Sequence, residues 1–483
     1  MTEEVLINVG LGETRIAVMR GGRLIDYFVE RPRRQSPMGS IYLGRVERVV
    51  SGMEAAFVDI GLDRSGFLAA WDARPPGLTN EGERRQAPPI TSLVHEGQAV
   101  IVQATKEPTG DKGARLSTHV SIAGRYVVFV PGGRGAALSR RITEQSERDR
   151  LFAIAEPALA DGGGLIVRTA AAGTAAADLL ADIASLRTAW TEILARAETA
   201  QPPTCLHEEL APVERAIRDL VRTETKRLVV DHGDAVSIAR GYAASRVAGL
   251  SIEHHRGDVF ADHAVEEELE QALATRVALP SGGSITIEAT EALTAIDVNS
   301  GRYVKGADPT ATGLATNLEA AQEIARQIRL RNVGGIIVID FIHVAAGDGP
   351  KVVEALKVAT AGDRAPIRIG AMSEFGLVEM TRKRTRESLE RIVTDECPWC
   401  EGRRRLPSVE SVAYEALRRT ERATHGPSAR GRFVVVRVAP EVAEFLVEEE
   451  AELLRALERR IGCSVEVEPD GDFARDEVEI VHD

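Results

Sequence analysis

Residues 284–299 have the sequence SITIEATEALTAIDVN and residues 334–341 have GGIIVIDF, with TNLEAAQEIARQIRLRN between them at 316–332. The first segment alternates apolar and polar residues, which predicts a hairpin, and the middle segment places apolar residues at helical spacing. A capping-box pair, Thr316 and Glu319, predicts that the helix begins at Thr316. GGIIVIDF is continuously apolar, which is typical of a strand buried on both faces of an α/β sheet. Together the segments predict a strand–helix–strand unit.

Two carboxylates end the strands of this unit, Asp297 in the first and Asp340 in the second. If the strands are parallel neighbours, both side chains emerge at one edge of the sheet and can share a cation. Mg²⁺ prefers such oxygen ligands, so the pair favours metal-assisted phosphodiester hydrolysis. Asn299 would face the same way and hold a carboxylate in place. From spacing alone, a capping role for each Asp after its strand is an equally good interpretation.

Downstream of this unit the pattern predicts a helix at 351–361, a strand at 367–370 and a basic helix at 377–393. A C-terminal α+β piece follows. Cys397 and Cys400 lie between the predicted basic helix and this C-terminal piece, in a Cys-Pro-Trp-Cys motif that supplies half of a tetrahedral zinc site. A second copy of the chain could supply the other half. A redox dithiol or a chance turn are the alternatives, and we favour zinc because the motif is not followed by the helix of a thioredoxin-like unit.

Upstream, strand-like runs punctuated by glycines at 39–72 and 97–107 predict a small closed β-barrel, interrupted by a polar excursion. Phe57 and Phe67 lie on these strands near Lys112, which fits an OB-type surface that stacks bases and binds phosphates. Core packing is the alternative interpretation for both rings.

A glycine run at 162–164 precedes a strand that ends at Arg168 and Thr169. The guanidinium and hydroxyl donors could bind a terminal phosphate. As an isolated motif, the glycine run is more simply a turn.

Composition excludes several classes of protein. The chain has 483 residues, a net charge of −13, 44% hydrophobic and 28% charged residues, which is ordinary for a multidomain globular protein and excludes wholesale disorder. The sequence shows neither a membrane-spanning run nor a secretory signal, so we expect a cytoplasmic protein. Arginine clusters at 31–34, 382–386 and 403–405 leave nucleic acid among the candidate partners despite the acidic total.

These segments together resemble the ribonuclease E/G family of bacterial single-strand-specific endoribonucleases. The likeness is most specific in LTAIDVNSGR at 293–302 and in the helix and strand that follow, and it extends to GSIYLGRVERVVSGMEAAFVDIG at 39–61, GLIVRTA at 164–170 and the Cys-Pro-Trp-Cys motif. The C-terminal region looks closer to the ribonuclease G branch, without the degradosome scaffold of the ribonuclease E branch.

The resemblance implies a multidomain α/β and α+β fold: an RNase H-like subdomain with an inserted S1 (OB-fold) barrel and 5′-sensor, then a DNase I-like catalytic domain, a zinc link and a small C-terminal domain. Its expected boundaries are 1–36 and 209–274 for the two RNase H-like parts, 37–118 for S1, 119–208 for the 5′-sensor, 275–393 for the catalytic domain, 394–405 for the zinc link and 406–483 for the C-terminal domain.

The resemblance also implies roles for particular residues. Asp297 and Asp340 would bind a catalytic Mg²⁺, with Asn299 orienting one of them, and water would attack the phosphodiester in line to leave 5′-phosphate and 3′-hydroxyl ends. The residues expected to contact RNA or its 5′-monophosphate are Phe57, Phe67 and Lys112 in S1, and Gly124, Val128, Arg168 and Thr169 in the 5′-sensor. Cys397 and Cys400 would share a Zn²⁺ between protomers of a homodimer or homotetramer.

We therefore expect a Mg²⁺-dependent endoribonuclease that cleaves single-stranded A/U-rich RNA in rRNA and tRNA processing and mRNA decay, stimulated by 5′-monophosphate ends. Two departures from the family pattern stand out. His343 occupies a position where the family usually has an acid, and Arg403–Arg405 follow Gly402 where a second glycine is usual. The alternative hypothesis is a catalytically impaired RNA-binding protein that uses its S1 domain.

Overall fold

The computed structural model describes residues 2–31, 37–74, 88–107, 113–244, 246–247, 249–301, 309–345, 347–384, 386–395, 397, 406–424 and 433–482. The chain forms two units, Met1–Leu389 and Glu390–Asp483. No helix in the described part of the chain is long and apolar enough to span a membrane.

The first unit begins with an antiparallel meander. Its strands are β1 (Glu3–Val9), β2 (Thr14–Arg20) and β3 (Arg23–Glu30). Val5, Leu6 and Ile7 of β1 are buried in succession, as are residues 16–19 of β2, so both faces of this sheet are covered at these strands.

A closed five-stranded barrel follows. Its elements are β4 (Ile41–Val50), β5 (Ala55–Asp59), β6 (Gly66–Ala69), α1 (Ile90–Leu93), β7 (Ala99–Lys106) and β8 (Arg115–Ser117). The strand order is β4-β5-β6-β8-β7, and pairing of β7 with β4 closes the barrel. The predicted barrel is confirmed and is consistent with an S1-type OB-fold.

The next segment forms a four-stranded sheet of order β11-β12-β10-β9 with two helices. The elements are β9 (Ile122–Ala123), β10 (Val127–Val130), β11 (Arg134–Leu138), α2 (Gln145–Ala155), β12 (Gly163–Val167) and α3 (Ala176–Thr199). Leu179, Ile183, Leu186 and Ile193 form the buried stripe of α3. Strand β13 (Thr204–His207) then pairs with β4 at the edge of the barrel.

The chain then returns to its first sheet. The elements are α4 (Pro212–Asp219), β14 (Thr225–Val230), α5 (Gly233–Ala244), β15 (Ser251–His254), α6 (Val259–Asp262) and α7 (Val265–Leu273). Strand β14 pairs in parallel with β1, with Val5 opposite Leu228, so the sheet has the order β15-β14-β1-β2-β3. The barrel and the four-stranded sheet are therefore inserted between two parts of one sheet.

The last part of the first unit is a six-stranded sheet of order β16-β17-β18-β19-β21-β20. Its elements are β16 (Arg276–Ala278), β17 (Ser284–Ala289), β18 (Leu293–Asn299), α8 (Pro309–Leu330), β19 (Gly335–Asp340), α9 (Gly349–Thr360), β20 (Ile367–Met372) and β21 (Leu377–Arg382). Helices α8 and α9 bury their apolar faces against one side of the sheet. The short helix α10 (Leu389–Val393) comes after β21.

Three sequence-based predictions for this part are wrong. Strand β19 is not buried on both faces, because α8 and α9 cover one side only and Ile336 is 51% exposed on the other. Helix α8 begins at Pro309, so Thr316 is internal to it and donates to the Thr312 carbonyl at 3.0 Å instead of capping. The basic segment 377–393 is a strand followed by a short helix.

The second unit has a three-stranded sheet packed on helices. Its elements are α11 (Val409–Ala423), β22 (Phe433–Val438), α12 (Pro440–Glu444), a π-helical turn (Phe445–Glu449), α13 (Ala451–Ile461), β23 (Ser464–Pro469) and β24 (Val478–His482). The central strand β22 runs parallel to β23 and antiparallel to β24.

Candidate active site

Asp297 and Asp340 are direct neighbours across the parallel strands β18 and β19. The register pairs Asp297 with Asp340, and neighbouring strands lie about 4.8 Å apart. Ile296 and Val298 point into the core beneath α8 and are 1% and 5% exposed. Because successive side chains of a strand alternate between faces, Asp297 is directed to the exposed face. Asp340 is exposed on the same sheet edge.

Asn299 holds the Asp297 carboxylate. Its side-chain amide Nδ2 donates to Asp297 Oδ2 at 2.5 Å. The two residues are separated by one position on β18, so they share the exposed face. A hydrogen bond to a charged acceptor is among the stronger ones, and this bond restricts the rotation of the carboxylate.

A buried asparagine on α8 fixes the chain that leaves β19. Asn317 is fully buried, donates through Nδ2 to the Ile342 carbonyl at 2.7 Å and accepts from the Ile342 amide at 3.1 Å. This pair of bonds anchors the backbone two residues after Asp340. Asn317 is not among the functional residues predicted from the sequence, although a polar residue on the apolar stripe of a helix is a recognisable signal.

The two carboxylates are of the kind that could hold a Mg²⁺ ion. In the described residues no group of three or more His, Cys, Asp and Glu side chains could hold a metal, so the fit depends on the two aspartates. Mg²⁺ commonly binds through one or two carboxylates and completes its shell with water and substrate phosphate. Side chains on an exposed sheet face leave room for both. His343 lies exposed three residues after Asp340.

On the barrel, Phe57 and Phe67 form a pair. They are opposite each other on β5 and β6, with ring centroids 6.0 Å apart at an interplanar angle of 73°. The Arg48 guanidinium lies 5.2 Å from the Phe57 ring centroid. Both rings are half-buried and lie outside the barrel core. Lys112 lies outside the described residues.

The residues expected to bind a terminal phosphate are adjacent in space. Arg168 donates to the Gly124 carbonyl at 2.5 Å and to Asp219 Oδ1 at 2.6 Å. Thr169 is exposed, and its hydroxyl lies 2.9 Å from that of Ser139. Val128 is half-buried in β10, whose neighbour β12 leads into Arg168.

Two aspartates that sequence analysis missed shape this area. Burial alone would raise the pKa of Asp219, but hydrogen bonds and charges from Arg218 and Arg168 hold it below its usual value. Asp182 on α3 accepts from the Tyr126 and Val127 amides at 2.8 and 3.1 Å.

The same carboxylate approaches Gly124 closely. A Cβ at position 124 would lie 2.5 Å from an oxygen of Asp182, so a side chain there would require this carboxylate to move away from the Tyr126 and Val127 amides that it binds.

The cysteines lie in different environments. Cys397 is exposed, and Cys400 lies outside the described residues. Cys463 is buried, and burial raises the pKa of the half-buried Cys205 thiol, so neither resembles a metal ligand.

Two family models match this chain. The model described as Ribonuclease E/G family matches residues 121–385, which include both aspartates of the carboxylate pair. The model described as RNase E/G, Thioredoxin-like domain matches residues 396–483. By class, therefore, the chain is an endoribonuclease, as the sequence led us to expect.

Full-length relatives give the same result. Ribonuclease G of Escherichia coli (strain K12) is 40% identical over 489 residues, covering 100% of both chains. Ribonuclease G of Haemophilus influenzae is 38% identical over 487 residues, covering 99% of both chains. Ribonuclease E of Escherichia coli (strain K12) is 37% identical over 455 residues, or 93% of this chain but 43% of that protein. The chain belongs to the ribonuclease E/G family.

Proposed function

We propose that this endoribonuclease is Mg²⁺-dependent and cleaves single-stranded, A/U-rich RNA at the edge of the six-stranded sheet. The observation that carries the proposal is the register that sets Asp297 beside Asp340, with Asn299 bonded to Asp297. The two aspartates would hold the ion, which supplies Lewis-acid stabilisation of charge on the phosphodiester. Asn299 keeps the Asp297 carboxylate in one orientation, and the open sheet face admits the RNA strand.

The barrel would bind the RNA strand, as an S1 domain. The paired rings of Phe57 and Phe67 offer surfaces on which bases stack, and Arg48 beside them offers a charge for the phosphates. We propose Lys112 as a further RNA contact from its sequence position alone. Stacking tolerates any base, which suits an enzyme that acts on many RNA sequences.

We further propose that a 5′-monophosphate binds at Arg168 and Thr169, with Gly124 and Val128 forming the rim, and stimulates cleavage. The support is that Arg168 is already held in place by Asp219 and by the Gly124 carbonyl. A guanidinium fixed before the ligand arrives loses little side-chain entropy on binding it.

Assembly and domain arrangement complete the proposal. Cys397 and Cys400 would bind Zn²⁺ with the same pair from a second protomer, which gives a homodimer or homotetramer. The sheet built on β1 and β14 would be the RNase H-like subdomain, and the six-stranded sheet the DNase I-like catalytic domain. Likeness to ribonucleases G and E supports a role in RNA processing, and we propose that this role covers rRNA and tRNA processing and mRNA decay in the cytoplasm.

The test compares wild type with Asp297→Asn and Asp340→Asn on a short 5′-monophosphorylated single-stranded RNA. We expect Mg²⁺-dependent cleavage by wild type, none in EDTA, and a loss of about a thousandfold or more in either variant while RNA binding by fluorescence anisotropy persists. Asp161→Asn is the matched control, because this carboxylate is 89% exposed and remote from the pair in sequence.

Two results would count against the proposal. Turnover by either variant at the wild-type rate would show that the carboxylates are not catalytic. Tight RNA binding by wild type without cleavage would instead favour an RNA-binding protein whose site is impaired, with His343 as the departure to examine first.

A further inference from the structure

The turn between β20 and β21 lies at the same sheet edge as the carboxylate pair. Leu377, the first residue of β21, is directly opposite Asp340, the last residue of β19. The turn residues 373–376 therefore extend the sheet just beyond Asp340.

Backbone and side-chain hydrogen bonds hold the turn in one conformation. The Ser373 amide donates to the Leu377 carbonyl at 2.8 Å, and the Gly376 amide donates to the Ser373 carbonyl at 3.0 Å. The Ser373 hydroxyl accepts from the Leu377 amide at 3.2 Å. Gly376 has φ +83°, a conformation that favours glycine.

This turn presents Phe375 to solvent. Its side chain is 85% exposed, whereas Phe341, next to Asp340, is 4% exposed and packs in the core. Single exposed apolar residues are common on protein surfaces. Phe375 is distinguished by its position: a hydrogen-bonded turn carries this exposed ring two residues before Leu377, which is the strand partner of Asp340.

We propose that the Phe375 ring stacks on an RNA base beside the phosphodiester that is cleaved, and so positions the strand at the carboxylates. This inference rests on the proposed function. An RNA strand whose phosphate reaches Asp340 must place a neighbouring base near this turn. Aromatic rings bind single-stranded nucleic acid by stacking, and a ring on a rigid turn loses little entropy in doing so.

Binding is measured first without catalysis. Each of a set of short single-stranded RNAs carries 2-aminopurine at a different position. The protein is added in the presence of EDTA, and quenching of the 2-aminopurine fluorescence reports stacking at that position. We expect one position to be quenched by wild type and not by Phe375→Ala, with RNA affinity about tenfold lower in the variant. Phe375→Trp should restore both, and Phe375→Leu should not restore the quenching.

The matched control is Phe152→Ala, which removes another exposed phenylalanine, 44% exposed on α2. It should leave both quenching and affinity unchanged. Circular dichroism and thermal melting of every variant verify that the fold persists.

Cleavage with Mg²⁺ gives the second readout. An abasic residue at the quenched position should lower the kcat/KM of wild type by about tenfold but that of Phe375→Ala by less than about twofold. The reason is that removing the base and removing the ring each abolish the same stacking contact. Equal losses in both proteins, or identical quenching in both, would overturn the proposal. Failure of wild type to cleave at all would overturn the proposed nuclease function instead, and the EDTA experiment would still report on stacking.

Discussion

Replacing Asn299 by Ala removes the hydrogen bond that its side-chain amide donates to the Asp297 carboxylate on the same strand, β18. The bond joins Asn299 Nδ2 to Asp297 Oδ2 at 2.5 Å. Without it, the carboxylate gains rotational freedom and must be ordered again whenever an ion binds. We therefore expect Asn299→Ala to need more Mg²⁺ for cleavage than wild type does.

The size of the effect follows from the type of bond and its exposure. A hydrogen bond to a charged group contributes about 1.5–3 kcal/mol, and Asn299 is exposed, which favours the low end of that range. About 1.4 kcal/mol corresponds to a tenfold change in an equilibrium constant, so the Mg²⁺ concentration for half-maximal activity should rise about tenfold. Loss of a residue that hydrogen-bonds to a metal ligand typically lowers metal affinity by about 10–100-fold, which is roughly the same scale.

The assay is the initial cleavage rate of a short single-stranded RNA measured against Mg²⁺ concentration. Asn8→Ala is the matched control, because Asn8 Nδ2 donates to Asp231 Oδ2 at 2.6 Å in the first sheet and so loses the same type of bond. The control should keep the wild-type Mg²⁺ dependence. If Asn299→Ala shows the same Mg²⁺ midpoint as the control, the bond does not support an ion at Asp297 and the reasoning fails.

Three further predictions concern the rest of the chain. Asn317→Ala leaves the amide and carbonyl of Ile342 without their buried partner, so the free energy of unfolding should fall by about 1–3 kcal/mol. Urea denaturation measures this loss, and an unchanged free energy of unfolding would contradict the prediction. Because Asp219 has a lowered pKa, its contribution to stability is fully present above the usual carboxyl pKa of about 3.9 and is lost only as pH falls through the lowered value. Titration of Asp219 should therefore not change the stimulation by a 5′-monophosphate between about pH 5 and 8. Asp219→Asn should reduce that stimulation because it releases Arg168, and equal stimulation of the variant and wild type would contradict this role of Asp219. Zinc chelation, or Cys397→Ser, should shift the protein toward monomer in light-scattering measurements, and an unchanged mass would count against a shared zinc.

The sequence predicted the carboxylate pair because local periodicity encodes it. Ile296 and Val298 flank Asp297 in strict alternation, which assigns the carboxylate to the face opposite the core. The intervening helix then favours a parallel neighbour for β18, and a parallel neighbour ending in Asp340 brings the two acids to one edge. No long-range information was needed for either step.

Other elements depend on contacts that local patterns do not contain. Thr316 and Glu319 have capping-box spacing, yet Glu319 accepts from the Ser281 amide at 3.1 Å and the helix starts seven residues before Thr316. The segment 377–393 was predicted as one basic helix, although buried Val378 and Met380 alternate with exposed positions at its start, which is the pattern of strand β21. This alternation of buried and exposed residues, which is typical of a strand, extends over only the six residues of β21.

Ion pairs between distant segments were beyond prediction. Arg168 and Asp219 are 51 residues apart, and nothing local marks Asp219 as the partner. Many acids in the chain could have served equally well by charge. Only the packing of α4 beside the four-stranded sheet selects this one, so residues that orient a candidate phosphate ligand became visible only with the fold.

The wrong prediction for β19 bears directly on function. Had helices covered both faces of the six-stranded sheet, Asp297 and Asp340 would be buried side by side, and the desolvation penalty would be several kcal/mol for each unpaired charge. Packing on one face only avoids this cost, because α8 and α9 hold the strands through Ile296, Val298 and Ile339 while the opposite face stays hydrated. The half-open sheet thus combines a rigid backbone with accessible carboxylates, which is what an ion shared with a large polyanionic substrate requires.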